Sequence, residues 1–590
     1  MERKENLSPV ENLVLQSFNM FDPDVSSNLK NVSSRLMDIR NPKADLSKYI
    51  LTETTQRESK CQYNSSESAA ENYFQIAGSI GVKGKYAMLS GSLTAKAKHE
   101  TTTTATSFFA AQRAFLNFGQ AYFNATLTKE VLSEVLSTQF WEAFAKVDSL
   151  QAARTFFDQF GTHIALGWGL GGDLAIAVKS ELKTIEEKTE LSATVEGVYK
   201  GLRTIEATIQ AAADLQSQHH SATFSQEITA VGGDPRAAQE IKIDDSASVE
   251  PWLQSVDADS SSYGLTNVTS FRELALTLGM NDVAEQLGNY ENLVILYESL
   301  ANPSIFFGVK KIEKFVYTTA EAKAPSALDE GGGQFKLLCG GGTMGHAANS
   351  YLIESYPHTG IGGRVDSRAA TSHDYETQAP DETESLTTYV IAVNDPGDFL
   401  KVTVQSSAPT PKNSDTLSVG EGVLVGGGCR QGKGKESYPL TYNAPTYSKE
   451  YQQEVREWTV ARRAVPTSSA TDDDMEVFTV SASCDFIELV QQPTATLNTA
   501  PAFDVWLSLT SNFPVLGGGY LLFGADGKVP SDSANFIFQS YPIKEGWLGF
   551  HHQTPRKREQ AIDNVVVLGF KYKTKGGFEM PSTLATFIEG

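Results

Sequence analysis

Cysteine is scarce: the 590 residues hold four, Cys61, Cys339, Cys429 and Cys484, far apart and without any CxxC or Cys/His pairing. That excludes a dense disulfide framework and a cysteine-based zinc site, and leaves buried free thiols as the expectation. Cations are in deficit, with 49 Lys and Arg against 71 Asp and Glu and a formal net charge of −22. Such a chain has no bulk attraction for nucleic acid or anionic lipid, so no nucleic-acid partner is expected. Long apolar runs are missing as well. Nothing approaches the ~20 consecutive apolar residues of a membrane helix, and the opening MERKENLSPVENLVLQSF lacks the apolar core of a secretion signal. The chain therefore enters no bilayer as a simple helix. No nucleophile elbow, HExxH or metal-ligand spacing occurs, so no catalytic residue, metal or cofactor is expected and the protein reads as a non-enzyme.

Glycine, by contrast, is concentrated. Residues 155–174, TFFDQFGTHIALGWGLGGDL, carry Gly161, Gly167, Gly169, Gly171 and Gly172 in an otherwise strand-like run, with no charge between Asp158 and Asp173. The segment reads as buried, with a backbone that bends sharply or lets another segment approach closely. Phe160-Gly161-Thr162-His163 leads through Ile164 and six further residues to Gly171-Gly172. Downstream lie Val231-Gly232-Gly233-Asp234 and then Pro251-Trp252-Leu253-Gln254-Ser255.

These three elements, in this order, resemble the hallmark of the membrane attack complex/perforin (MACPF) family of pore-forming proteins. The departure is Ile164, where the family carries Tyr or Phe. The resemblance covers roughly residues 50 to 315. It implies a bent, twisted antiparallel sheet flanked by two helical clusters, which unfurl into amphipathic hairpins and join neighbouring subunits into a transmembrane barrel. It also implies that Gly161, Gly171, Gly172, Gly232 and Gly233 let the sheet flex, while Thr162 and His163 tether the bend.

Two segments suit such hairpins. In residues 74–98, Ile76, Ile80 and Val82 share one phase of a period-two pattern, and after a phase flip Leu89 and Leu93 continue it. In residues 191–215, Leu191, Val195, Tyr199, Ile205, Ile209 and Leu215 fall on one strand face, with Ser, Thr, Glu, Lys and Gln on the other. Read as a helix, Leu191, Val195, Val198, Leu202, Ile205, Ile209 and Ala212 form an apolar seam. An ordinary surface helix would satisfy the second pattern alone; satisfying both is what a helix-to-strand switch requires. By resemblance the two hairpins are residues 76–111 and 182–224, and neither contains proline. Arg203, the one charge on the apolar phase, is expected near a turn, and His219 and His220 are acid sensors or simply solvated. Between these segments, residues 128–147 read as one amphipathic helix, and Ser149 as the cap of a second.

Residues 318–333, TTAEAKAPSALDEGGG, read as a linker. Beyond it a repeat appears with a period of roughly 85–90 residues. Its copies carry triple glycines beginning at Gly340, Gly426 and Gly517, and Ser-Tyr-Pro elements around Tyr356, Tyr438 and Tyr541. Three short all-β units suggest a pseudo-threefold β-prism, similar to the C-terminal modules of some bacterial MACPF proteins. The glycines are expected at tight turns or close strand crossings rather than around phosphate, since no Lys-Ser/Thr follows them. The tyrosines are equally core residues or ligand contacts.

The expected architecture is α+β: a MACPF domain over residues 1–317, the linker, and a targeting β-prism over 334–590. The expected function is a pore-forming toxin of the insecticidal bacterial type. It is released as a soluble monomer, bound to a target-cell receptor or glycan through the prism, and assembled with copies of itself into a ring that inserts two hairpins per subunit. The alternative is a non-lytic MACPF-fold recognition protein, because fold does not fix function.

Overall fold

The structure, a computed structural model, describes residues 7–22, 29–66, 107–182, 185–218, 224–258, 260–301, 303–312, 318–323, 335–344, 350–359, 365–373, 384–431, 440–446, 455–462, 474–498, 504–524, 535–543, 546–553 and 561–575. The fold class is the α+β one expected. The chain divides into two compact units, one of residues up to Val294 and the other from Ile295 to Phe578.

The first unit is built on an antiparallel sheet. Its strands are β1 (Ser17–Phe18), β2 (Ile50–Ser66), β3 (Ser107–Phe123), β4 (His163–Glu181), β5 (Ser225–Val231) and β6 (Ser262–Ser270). The order is β1-β4-β3-β2, with β5 and β6 both on β4. On one edge of β4, β6 covers His163 to Leu170 and β5 covers Asp173 to Lys179. On the other edge, β1 pairs at His163 and Ile164 and β3 from Gly167 onward. Apolar residues with a single charge explain why residues 163–176 of the glycine-rich strand lie in the interior, as the sequence predicts.

Helices pack on this sheet. The segment expected as one helix over residues 128–147 is two, α1 (Lys129–Val135) and α2 (Thr138–Phe144). Leu136 between them is extended, because residues 39–41 take its neighbours' backbone groups: Asn41 N donates to Val135 O and Ser137 N to Ile39 O. Ser137 then caps α2. Ser149 caps α3 (Leu150–Phe160) as expected, its Oγ accepting from Ala152 N at 3.3 Å. Phe140, Phe144, Phe156, Phe160 and Phe271 form one aromatic cluster.

The segment with two periodicities is helical here: α4 (Ile185–Tyr199) and α5 (Ile205–Gln218). The seam does not run through as a single helix; it breaks at residues 200–204, where Gly201 takes φ +90°. Arg203 lies in that turn, as expected. Leu191, Val195, Tyr199, Ile205, Ile209 and Leu215 all enter one core with Leu174, Ile176 and Val178 of β4. The first such segment, with Ile76, Ile80, Val82, Leu89 and Leu93, lies outside the described residues, as do His219 and His220. The unit continues with α6 (Pro235–Gln239), α7 (Glu250–Ser255), α8 (Phe271–Thr277) and residues 281–294 of α9 (Asn281–Ala301).

The second unit is a threefold repeat, and each copy has six strands. The first copy is β7 (Ser304–Ile312), β8 (Thr318–Lys323), β9 (Phe335–Met344), β10 (Ser350–Thr359), β11 (Val365–His373) and β12 (Glu384–Asn394). The second is β13 (Leu400–Ser406), β14 (Ser414–Ser418), β15 (Val423–Gln431), β16 (Leu440–Pro445), β17 (Glu457–Arg462) and β18 (Met475–Cys484). The third is β19 (Ile487–Asn498), β20 (Asp504–Thr510), β21 (Val515–Gly524), β22 (Asn535–Ile543), β23 (Gly546–Gln553) and β24 (Ala561–Thr574). In every copy the strands pair first-sixth-third and second-fifth-fourth. The fourth strand of one copy then joins the third of the next, β10 to β15 and β16 to β21, while β22 lies beside β9. Two six-stranded composite sheets and two three-stranded sheets result, the last two side by side at β9 and β22, an arrangement consistent with a β-prism.

Two features of this unit differ from the sequence reading. Residues 318–323 have the composition of a linker but form β8, paired with β11 from Thr318 to Lys323. The repeat begins at β7, because the first two strands of each copy carry neither the triple glycine nor Ser-Tyr-Pro. Gly340, Gly426 and Gly517 open the glycine triplets on the third strand of each copy. A Cβ at Gly426 would strike the carbonyl of Leu338, and one at Gly517 that of Val425; Gly427 and Gly518 lie under the rings of Trp458 and Trp547. Backbone packs on backbone where the copies meet, as expected of close crossings. The Cys339 thiol sits there, hydrogen-bonded to Gly518, Tyr389 and Gly427 and pushed by burial to about 11. Tyr356 is a core residue stacked on Phe478 at 5.0 Å, Tyr541 is half-buried, and Tyr438 lies outside the described residues. All four cysteines are free, three of them buried and Cys61 half-buried.

Gly517→Val is expected to cost about 3 kcal/mol, because neither backbone can withdraw; Gly201→Ala, with open space around it, is expected to cost about 1 kcal/mol from its φ alone. Urea unfolding followed through tryptophan fluorescence distinguishes the two.

Candidate functional site: a glycine pivot in the central sheet

Two ladders of the central sheet change register at one level. The ladder of β2 and β3 shifts between Thr54 and Glu58, and that of β3 and β4 between Asn117 and Gly119. At Gly171 and Gly172 the partner on the far edge of β4 changes from β6 to β5. Three glycines with positive φ follow this line: Gly119 (+126°), Gly171 (+131°) and Gly232 (+84°). Each faces a neighbour's backbone, Gly119 the Glu53 carbonyl, Gly171 the Leu116 carbonyl and Gly232 the Gly171 carbonyl. No residue with a Cβ fits at any of the three.

The other sequence elements converge here. Trp252 Nε1 on α7 donates to Gly232 O at 2.7 Å, and the Trp252 ring and Val256 pack on Gly172. Ser255 Oγ donates to Trp252 O and accepts from Asp234 N, each at 2.7 Å. Ser261 closes the junction: its carbonyl accepts from Gly171 N at 2.9 Å and its Oγ from Gly233 N at 3.2 Å. Gly171, Gly172, Gly232 and Gly233 therefore form one site with Trp252 and Ser255, although residues 173–231 separate the first glycine pair from the second.

Gly161, Thr162 and His163 do not join it. They stand at the start of β4 and hold the N-terminal segment. Thr162 N donates to Phe18 O and Met20 N to Thr162 Oγ1, both at 2.9 Å, and a Cβ on Gly161 would meet the Phe18 carbonyl. His163 stacks on Phe18 at 5.6 Å, its Nδ1 lies 2.8 Å from Thr162 Oγ1, and burial lowers its pKa to about 3. The tether that the resemblance implies is thus between β4 and β1, one half-strand away from the pivot. Phe160 belongs to the aromatic cluster.

Sequence reasoning missed two residues beside the pivot. Arg113 of β3 and Asp173 of β4 form a buried ion pair, Nε to Oδ1 at 2.9 Å and Nη2 to Oδ2 at 2.9 Å, with the guanidinium also 5.2 Å from the centre of the Phe115 ring. A signal was available: each is the lone charge of an otherwise apolar strand stretch, and such charges are buried only when paired. Gly119 was missed because a single glycine in a strand carries no pattern. Among the described residues no group of His, Cys, Asp and Glu could hold a metal ion, and no helix is long and apolar enough to cross a membrane.

Residues 45–260 match the family model of the MAC/Perforin domain, a span that holds β2 to β5, both glycine pairs, Trp252 and Ser255. A search of the curated proteins finds no match. Among solved structures, the chain is similar to a MAC/Perforin-domain protein of Bacteroides thetaiotaomicron, at 13% identity and a TM-score of 0.35, over 49% of this chain and 61% of that one. It thus spans less than two thirds of that protein's length. It is also similar to GNIP1Aa from Chromobacterium piscinae, at 12% identity and a TM-score of 0.34, over 78% and 82% of the two chains. A third is Astrotactin-2, a vertebrate-specific perforin-like membrane protein, at 9% identity and a TM-score of 0.26, over 48% and 56%. These are distant likenesses.

Asp173→Asn leaves Arg113 buried with its charge uncompensated and is expected to cost about 3–5 kcal/mol, most of it recovered when Arg113→Met is added; equilibrium denaturation of the single and double variants measures both. His163 has a different signature. Its folded pKa lies below the unfolded value near 6.5, so its contribution is fully present above that value and is lost as pH falls toward 3. Wild type should lose about 1.4 kcal/mol per pH unit more than His163→Gln across this window, read from urea midpoints at successive pH values.

Proposed function

We propose, from the match of residues 45–260 to the MAC/Perforin family model, that the protein is a pore-forming toxin. It is released soluble, binds a target-cell receptor or glycan through the β-prism, associates with copies of itself into a ring, and converts two segments per subunit into β-hairpins of a transmembrane barrel. No enzymatic step is part of this reading.

One observation carries it. Ser66, Phe109, Lys179 and Ser225 lie in a single cross-strand row, and they are the last rungs of the β2-β3 and β4-β5 ladders. Both candidate segments leave from that row, one between β2 and β3 and the other between β4 and β5. Each connects strands that are already antiparallel neighbours, so extending either segment prolongs an existing ladder without changing its topology. The second segment is α4 and α5, whose sequence fits both periods. As a hairpin it would place Leu191, Val195, Tyr199, Ile205, Ile209 and Leu215 toward lipid and its polar phase toward a water-filled lumen. Each of its two strands exceeds the 9–11 residues that a tilted membrane strand requires. Only a closed barrel satisfies all backbone hydrogen bonds in lipid, which is why assembly precedes insertion. A net charge of −22 gives no pull toward anionic lipid, so a dedicated targeting unit is required.

The native Cys61 supplies a test, since its Sγ lies 3.7 Å from Thr208 Oγ1 on α5. In Thr208→Cys an oxidised bond to Cys61 pins α5 to β2. Dye release from vesicles of insect midgut lipid extract is expected for wild type, absent for the oxidised variant, and restored by reductant. Wild type that binds vesicles and never releases dye at neutral or acidic pH or after protease treatment would make this a non-lytic recognition protein instead.

A further inference from the structure

The face of the sheet beneath α4 and α5 is not uniformly apolar. Gln112 of β3 lies in the row Tyr63-Gln112-Ile176-Ile228, in the middle of the four strands, with α4 and α5 packed on β3. It is 1% exposed, and neither its Nε2 nor its Oε1 has a hydrogen-bond partner. Ala110 and Ala114 flank it on the same strand and belong to the apolar core that Leu191, Val195 and Ile209 enter. Nearer the top of the sheet, Ser180 of β4 is buried opposite Phe108, and its Oγ is likewise without a partner. A neighbouring amide shows the contrast: Gln226 of β5 donates to Ala212 O at 3.1 Å and accepts from Tyr199 Oη at 2.9 Å.

A buried amide with no partner loses its hydration and receives nothing in exchange, whereas an apolar side chain of the same shape would be neutral or stabilising there. The loss applies only while α4 and α5 cover it. Once they lift, water reaches the amide and the penalty vanishes. We infer that Gln112, seconded by Ser180, is a built-in destabiliser that biases α4 and α5 toward leaving the sheet. This rests on the pore-forming reading for its purpose, though not for its physics. An apolar side chain could have closed the same face, as Ala110, Ala114 and Ile176 do around it; the amide makes the helical state of the segment conditional.

The test uses the full soluble chain. In Gln112→Met, amide hydrogen exchange in α4 and α5 is expected to slow about tenfold, while exchange in β18 and β24 of the prism stays unchanged. Dye release from midgut-lipid vesicles is expected to begin about tenfold later and to reach the same final extent. Ser180→Ala, a smaller change, should move both readouts in the same direction and serves if Gln112→Met does not fold. Unchanged or faster exchange in α4 and α5 in both variants would overturn the inference, because it would mean that the amide is satisfied, for instance by a buried water. Slower exchange with an unchanged onset of release would also overturn it, since lifting of the helices would not limit insertion. Slower exchange in variants of a protein whose wild type never releases dye would uphold the destabiliser and sink the pore-forming reading alone.

Discussion

Backbone resting directly on backbone is the constraint from which the rest follows. At the pivot, Gly232 presses on the Gly171 carbonyl, Gly171 on that of Leu116 and Gly119 on that of Glu53. The contact spans the sheet in a line and leaves no room for a side chain. A strand that bends at such a line can present its two halves to different partners, which is what β4 does with β6 and β5. The pivot is then locked from outside by Trp252, Ser255 and Ser261, whose hydrogen bonds replace the ladder bonds that the bend interrupts. The prism uses the same physics for a different end. There glycine triplets let three copies approach a common centre, and Trp458 and Trp547 cover the glycines.

Above the pivot the sheet is a platform for α4 and α5, and below it the sheet is nailed down. His163 and Thr162 fasten β1 to the start of β4, and the Arg113–Asp173 pair joins β3 to β4 just above the bend. The tether at His163 and Thr162 thus holds the end of the sheet away from α4 and α5, and the ion pair stiffens the junction between the two halves. Over that segment the fastening is weaker: an apolar seam interrupted by Gly201, resting on a face that contains an unsatisfied amide. The distribution of strength along β4 follows the division of labour that the proposed mechanism requires.

Much of this was legible in the sequence, for reasons tied to particular residues. Gly171-Gly172, Gly232-Gly233 and Trp252 could be read because glycine pairs and a tryptophan at fixed spacing are rare patterns. Ser149 could be read as a cap because capping is local. The break between α1 and α2 could not, since it is caused by residues 39–41, nearly a hundred positions earlier. Strand β8 looked like a linker because Ala, Thr, Glu and Lys say nothing about a partner; β11 supplies it. The role of His163 was misplaced for the same reason: Phe18, which it stacks on, is named by no motif.

The sequence by itself determined the local and periodic features: the α+β class, the glycine positions, the dual period of residues 191–215 and the existence of three repeats. These depend on what each residue can do with its own backbone and its near neighbours. The tertiary structure alone decided which glycines meet, that β2, β3, β4 and β5 end in one row, that each prism copy has six strands and that Gln112 is left without a partner. Those facts depend on what lies opposite each residue, and opposition is a property of the packed chain rather than of its order.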